Sequence, residues 1–213
     1  MNKQPVKGAE HVLVCEKCWI QEVMGNDVFI PISRKLLANL ADPSPFWFGP
    51  RHLIEADTKY VQLVSYVIIE HGSRILCYQR GNDSLEQRLK NKLSIGLGGH
   101  ISLQDARITN GTLDVVKTIK AGAAREVREE LEVHKVVARK KLVLLHSRLN
   151  TVDEVHCGFV EVWKIDSSQV GTKEKDLRTI GFKSLPELAT MQGVESWSTL
   201  LIQYLGNINQ NTR

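Results

Sequence analysis

The chain has 213 residues and a mass of 24.0 kDa, with 42% hydrophobic and 24% charged residues. That is ordinary globular usage, which supports a sizeable buried core and excludes disordered, collagen-like and low-complexity classes. A net charge of +4 and a pI of 8.9 suit anionic ligands, while the lack of a basic run argues against a nucleic-acid polymer as partner.

The N-terminus has no apolar stretch of the kind that marks a signal peptide. No segment approaches the roughly 18 apolar residues of a membrane helix, so a cytoplasmic protein without a membrane partner is expected. Cys15, Cys18, Cys77 and Cys157 are too few for a disulfide scaffold in a chain of this length and fit reduced thiols.

In chain order, residues 11–15 form a short apolar run, residues 28–32 read as a strand, and residues 33–41 as a helix. Asp42, Pro43, Ser44 and Pro45 stop that helix, because proline lacks a backbone donor and restricts the residue before it. Phe46, Trp47 and Phe48, followed by Gly49-Pro50, read as a packed turn that would serve a homodimer interface if exposed. These first residues, 1–58, form an N-terminal extension packed on a core domain of residues 59–213.

Residues 61–69 (VQLVSYVII) are apolar on both faces and rich in β-branched side chains, the pattern of a central strand. A turn at His71, Gly72 and Ser73 leads into a second strand over residues 74–80, giving a hairpin. The polar residues 81–92 precede a glycine-rich segment, residues 93–100 (LSIGLGGH), where backbone can approach a ligand closely. Residues 121–133 (AGAAREVREELEV) form the clearest helix: Ala123, Ala124, Val127 and Leu131 fall on one side, and Glu126, Glu129 and Glu130 share another. Strands over residues 142–149 and 155–165 and a helix over residues 196–205 complete an α/β pattern with a mixed sheet.

Glutamates at i, i+3 and i+4 gather three carboxylates on one helical turn. One reading is a solvated face on which Arg125 and Arg128 pair with Glu129 and Glu132. The other sets the carboxylates against the glycine-rich segment and its carbonyls, an all-oxygen site suited to Mg²⁺ or Mn²⁺.

The second reading matches a known family. The chain resembles the Nudix hydrolases, whose box is G-x5-E-x7-R-E-U-x-E-E-x-G-U, with U a bulky aliphatic residue. Arg125, Glu126, Val127, Arg128, Glu129, Glu130, Leu131 and Val133 match its second half, and Gly98-Gly99-His100-Ile101 matches its start. Counting forward from Gly99 puts Asp105 at the first acidic position, whereas counting backward from Arg125 puts Lys117 there. The segment between the two halves carries an insertion, with a loop expected at residues 108–112, and Glu132 stands where the box has glycine.

The resemblance implies an α/β/α sandwich with a mixed sheet and Mg²⁺-dependent hydrolysis of a nucleoside diphosphate derivative or related small phosphoanhydride. It assigns Glu126, Glu129, Glu130 and the Gly98 carbonyl as metal ligands, with Arg125 holding a box carboxylate. The general base is Glu129, Glu130, or an acidic residue before Phe182, either Glu174 or Asp176. Arg80 and His100 are candidates to contact the phosphates, as are Arg88, Lys90 and Lys92; His100 and His156 have a structural role as their alternative. Two other functions stay open: a non-catalytic Nudix-like nucleotide-binding regulatory module, and a Nudix-fold isomerase acting on prenyl diphosphates, which ranks lowest because no suitable catalytic cysteine is present. Cys15-x-x-Cys18, with His11, has zinc-ligand spacing but lacks a second pair.

Overall fold

Apolar residues build the first strand, β1 (His11–Glu16), in which Val12, Leu13, Val14 and Cys15 are all fully buried. The structure, a computed structural model, describes residues 10–81, 90–175 and 177–210; Arg88 and Asp176 lie outside the described residues. Next come α1 (Lys17–Met24) and β2 (Phe29–Pro31). In α2 (Arg34–Ala41) the Ser33 hydroxyl accepts the Leu36 amide as N-cap, and Leu36 and Leu40 are buried. The aromatic run expected to be a turn is instead a strand, β3 (Phe46–Pro50), which pairs antiparallel with β1 from Cys15–Phe46 to His11–Pro50. Pairing with β1 overrides the Gly-Pro signal because both come at the end of the ladder. Phe46 is buried edge-on against Trp19 and Trp47 stacks edge-on against Tyr60, so of this cluster only Trp47 is substantially exposed.

After α3 (Arg51–Ile54), the central strand β4 (Tyr60–His71) and β5 (Arg74–Arg80) form the expected hairpin, with Glu70 opposite Ile75. The glycine-rich segment forms β6 (Leu93–Ser94) and β7 (Gly96–His100), paired with β5 and β4 respectively. The expected loop at residues 108–112 is a small hairpin, β8 (Ile108–Thr109) with β9 (Thr112–Leu113). Its turn residues Asn110 and Gly111 both have positive φ, which an Asn-Gly pair adopts readily.

Helix α4 (Val115–Glu130) starts earlier than its apolar pattern suggested. It ends at Glu130, where the next residues enter β10 (Leu131–Val133) rather than continuing to Val133 as helix. Val115, Ile119, Ala123 and Val127 form its buried stripe at i+4 spacing. The remaining elements are β11 (Val136–Leu145), β12 (His156–Ile165), β13 (Val170–Thr172), β14 (Leu177–Lys183), α5 (Leu185–Ala189) and α6 (Ser196–Gln210).

The architecture is α/β with a large mixed sheet ordered β14-β5-β4-β12-β11-β2, extended by β1 on β4 and β3 on β1. The chain divides into two compact units. The first holds residues 1–66, 98–126 and 141–161, and the second residues 67–97, 127–140 and 162–213. In the first, Leu13, Cys15, Trp19, Ile20, Val61 and Leu63 pack with Val115 and Ile119 of α4 in one core cluster. Fully burying each such side chain contributes about 1.5–3 kcal/mol. In the second, Ile68, Ile69, Leu76, Trp163 and Leu201 are among the most deeply buried residues.

One position in β4 departs from this apolar pattern. Gln62 is fully buried, and neither of its amide atoms has a hydrogen-bond partner among the described residues. A buried amide of this kind costs about 1–3 kcal/mol, so Gln62→Leu is expected to raise the urea midpoint by an amount on the order of 1 kcal/mol. A lowered midpoint would show that the amide makes a contact the fold needs.

Candidate active site

In the first unit the site begins with β7 lying beside β4. A Cβ on Gly98 would come within 2.5 Å of the Ser65 carbonyl, and one on Gly99 would run into the Glu126 carboxylate. Glycine is therefore required at position 98 by close approach of backbone, and at position 99 it lets the Glu126 carboxylate lie directly against the strand.

Arg125 organises this half. It donates to Asp105 through Nε (3.0 Å to Oδ1) and Nη2 (2.9 Å to Oδ2), to Glu126 through Nη1 (2.7 Å), and to the His100 carbonyl through Nη2 (2.9 Å). Asp105 is 3% exposed and also closes a capping box with Ser102, at the 3-10 turn Leu103–Asp105. Burial opposes the charge on Arg125, but the bond from Asp105 and the charge of Glu126 hold its pKa above the ordinary value. Of the two residues that counting allowed at the first acidic position, Asp105 meets Arg125, whereas Lys117 is exposed and pairs with Asp114 at 2.9 Å.

The two histidines face each other, with Nε2 atoms 3.1 Å apart, and His156 Nδ1 lies 2.7 Å from the Val152 carbonyl. Sequence reasoning missed the third member of this group, His146, whose Nδ1 sits 2.9 Å from the His156 carbonyl. Burial holds the His146 pKa below its ordinary value of 6.5. Its protonation thus favours the unfolded chain: the stability it contributes is present above about pH 6.5 and is lost as pH falls below that value. Between pH 7 and pH 5 the urea midpoint is expected to fall less steeply in His146→Gln than in the native sequence; identical slopes would refute the assignment.

In the second unit, Glu130 is buried at the end of α4, and Arg80 Nη2 lies 3.5 Å from its Oε1. Arg80 Nη2 also donates to the Tyr78 hydroxyl at 3.3 Å. Burial opposes the Arg80 charge, and Tyr78, Glu130 and Glu174 together raise its pKa above the usual range. The segment carrying Glu174 is tied to the helix end: the Lys173 amide donates to the Glu130 carbonyl at 2.9 Å, beside the Leu131–Thr172 pair of β10 and β13. Glu174 itself is exposed, as is Glu129 on α4.

Arg125 thus reaches Asp105, Glu126 and the His100 carbonyl, contacts that i+4 helical spacing alone does not offer. Glu126 and Glu130 are each drawn to a guanidinium, and among the described residues no three histidine, cysteine, aspartate or glutamate side chains are gathered in metal-binding geometry. The zinc spacing at Cys15 and Cys18 does not produce a pair, since Cys15 is buried in the core and Cys18 is exposed beside Glu16. Cys77 and Cys157 are buried as small apolar residues; burial pushes the Cys157 thiol up to about 12. A cleft of about 700 Å³ along β10 and β13 is lined by Glu132, His134, Ser168 and their neighbours and contains none of the predicted site residues. Among the described residues no helix is long and apolar enough to cross a membrane.

No family model matches the chain. It is 29% identical over 157 residues to protein YmaB of Bacillus subtilis (strain 168), covering 71% of this chain and 74% of YmaB. It is also similar to the crystal structure of Tm1382, a protein assigned to the Nudix hydrolases without an established activity. That match has a TM-score of 0.75 and 27% identity, over 93% of this chain and all of Tm1382. The chain has the fold of the Nudix hydrolases. The residues that resemble the Nudix box lie on β7, the 3-10 turn with Asp105, and α4, and the segment between its two halves forms the β8–β9 hairpin and the first turns of α4.

Proposed function

We propose that this Nudix-fold protein is a Mg²⁺- or Mn²⁺-dependent hydrolase that cleaves the diphosphate linkage of a nucleoside diphosphate derivative or related small phosphoanhydride. The observation that carries the reading is the Glu126 carboxylate lying directly against the Gly99 backbone, in space that a Cβ at position 99 would contest. A carboxylate held against a strand of backbone carbonyls is a hard, all-oxygen donor set, which fits a small divalent cation. Glu126, Glu129, Glu130 and the Gly98 carbonyl are the proposed ligands.

The bound cation would neutralise charge on the pyrophosphate oxygens and lower the pKa of water. The chain's own residues prepare for this. Arg125 fixes Glu126 and, through Asp105 and the His100 carbonyl, the strand beside it. Glu174, on the segment bonded to the end of α4, is the proposed base that takes a proton from the attacking water, with Glu129 and Glu130 as the alternatives. Charge supports the same substrate class: the surplus of Lys and Arg gives a net +4 while acidic groups concentrate on α4.

The test is incubation with a panel of nucleoside diphosphate derivatives in Mg²⁺ and in excess chelator, with products separated by ion exchange. Metal-dependent release of mononucleotide or phosphate from at least one compound is expected. Tight nucleotide binding without any turnover would instead establish the regulatory-module reading.

A further inference from the structure

Arg80 is a candidate to reach a phosphate, and one nitrogen of its guanidinium, Nη2, meets groups within the protein. Its side chain is 18% exposed and lies 3.5 Å from a Glu130 carboxylate that is itself only 6% exposed. The same nitrogen donates to the Tyr78 hydroxyl at 3.3 Å, and that hydroxyl in turn donates to the Gly96 carbonyl at 2.5 Å. Tyr78 is fully buried, so its oxygen cannot swing away without opening the core.

The Gly96 carbonyl is held from its other side as well. Ser94 Oγ is 3.1 Å from it and 3.2 Å from Ser198 Oγ; the Ser198 hydroxyl accepts the Ile95 amide at 2.9 Å and donates to Glu195. Glu195 caps α6 by accepting the Trp197 and Ser198 amides, each at 2.8 Å. Polar side chains from the N-terminus of α6 and from Ser94 thus surround the Gly96 carbonyl that Tyr78 also meets.

We propose that Arg80, held by Tyr78, is a positioning residue that sets the Glu130 carboxylate for cation binding, rather than a phosphate contact. This rests on the assignment of Glu130 as a metal ligand. The physical case is that a carboxylate this buried needs a compensating partner, and a fixed one limits the orientations it can present. Outer partners of metal ligands, when removed, typically cost about 10–100-fold in metal affinity or activity. Arg80 has the burial, the charge and the immobilised second contact that such a partner requires.

The experiment is a Mn²⁺ titration followed by electron paramagnetic resonance, with steady-state hydrolysis run in parallel, on the native sequence, Arg80→Gln, Arg80→Lys and Tyr78→Phe. Circular dichroism confirms that each variant is folded; Tyr78→Phe keeps the ring and removes only the hydroxyl, so it reports even where Arg80→Gln does not fold. Arg80→Gln is expected to weaken Mn²⁺ binding by about 10–100-fold with KM for the diphosphate substrate unchanged. Arg80→Lys should recover part of the loss, and Tyr78→Phe should weaken Mn²⁺ binding in the same direction by a smaller factor. Unchanged Mn²⁺ affinity in both Arg80→Gln and Tyr78→Phe overturns the proposal, as does a rise in KM with Mn²⁺ affinity intact, which would make Arg80 a substrate contact. Failure of the native protein to bind Mn²⁺ or to turn over any substrate would instead overturn the metal-dependent reading beneath it.

Discussion

Glu129→Gln is expected to lower Mg²⁺-dependent kcat by about 10²–10³-fold, the usual cost of removing one electrostatic stabiliser of a transition state. Glu129 stands between Glu126 and Glu130 on the last turns of α4. It is the most exposed of the three, whereas its neighbours are drawn to Arg125 and Arg80. The substitution removes a charge and little packing, so stability should be nearly unchanged. It therefore separates chemistry from folding better than a change at either neighbour. Glu22→Gln, at an exposed position on α1, serves as a control for the loss of one negative charge and should retain native kcat. Equal rates in Glu129→Gln and the native sequence would remove Glu129 from the mechanism.

Arg125→Ala is expected to have the largest effect on stability, a loss of about 3–5 kcal/mol read from the urea midpoint. The side chains of Arg125 and Asp105 are 16% and 4% exposed, and three hydrogen bonds join them. Removing the guanidinium leaves the Asp105 carboxylate buried against the 3-10 turn without its counter-charge. It also releases the His100 carbonyl, which the same guanidinium holds. Arg125→Lys keeps the charge but not the planar fork that meets both Asp105 oxygens, so it should recover only part of the loss. A midpoint equal to that of the native chain would show that the pair is not structural.

Much of this arrangement was legible in the residues because it depends on local pattern. The stripe of Ala123, Val127 and Leu131 announces α4, and Ser33 before an apolar period announces α2. Counting from Gly99 finds Asp105. What the pattern could not reveal depends on neighbours distant in sequence. The first turns of α4 were missed because Lys117 and Lys120 interrupt the period around Val115 and Ile119, although that face packs against β1 and β4. The glycines before His100 announced a close approach of backbone but not a strand, because glycine serves turns and tightly packed strands alike. Helix α1 is short, and only contact of Trp19, Ile20 and Met24 with the core makes its helical face evident.

Partner choice was the least legible property. Helical spacing offers Arg125 a glutamate at i+4 but does not announce the buried Asp105 carboxylate or the His100 carbonyl that it also meets. Nothing local links Arg80 to Glu130, since strand pairing and the helix end bring them together from separate parts of the sequence. His146 escaped notice for a related reason: it lies inside an apolar strand pattern, and only the His156 carbonyl gives it a role.

The central claim is that the carboxylates of α4 hold the divalent cation on which hydrolysis depends. The most direct measurement is the electron paramagnetic resonance signal of Mn²⁺ titrated into the native protein and into the double variant Glu126→Gln/Glu129→Gln, with Mg²⁺ added as competitor. Saturable Mn²⁺ binding is expected in the native protein, displaced by Mg²⁺ and lost in the double variant. Equal Mn²⁺ binding by both proteins, or none by the native one, would contradict it.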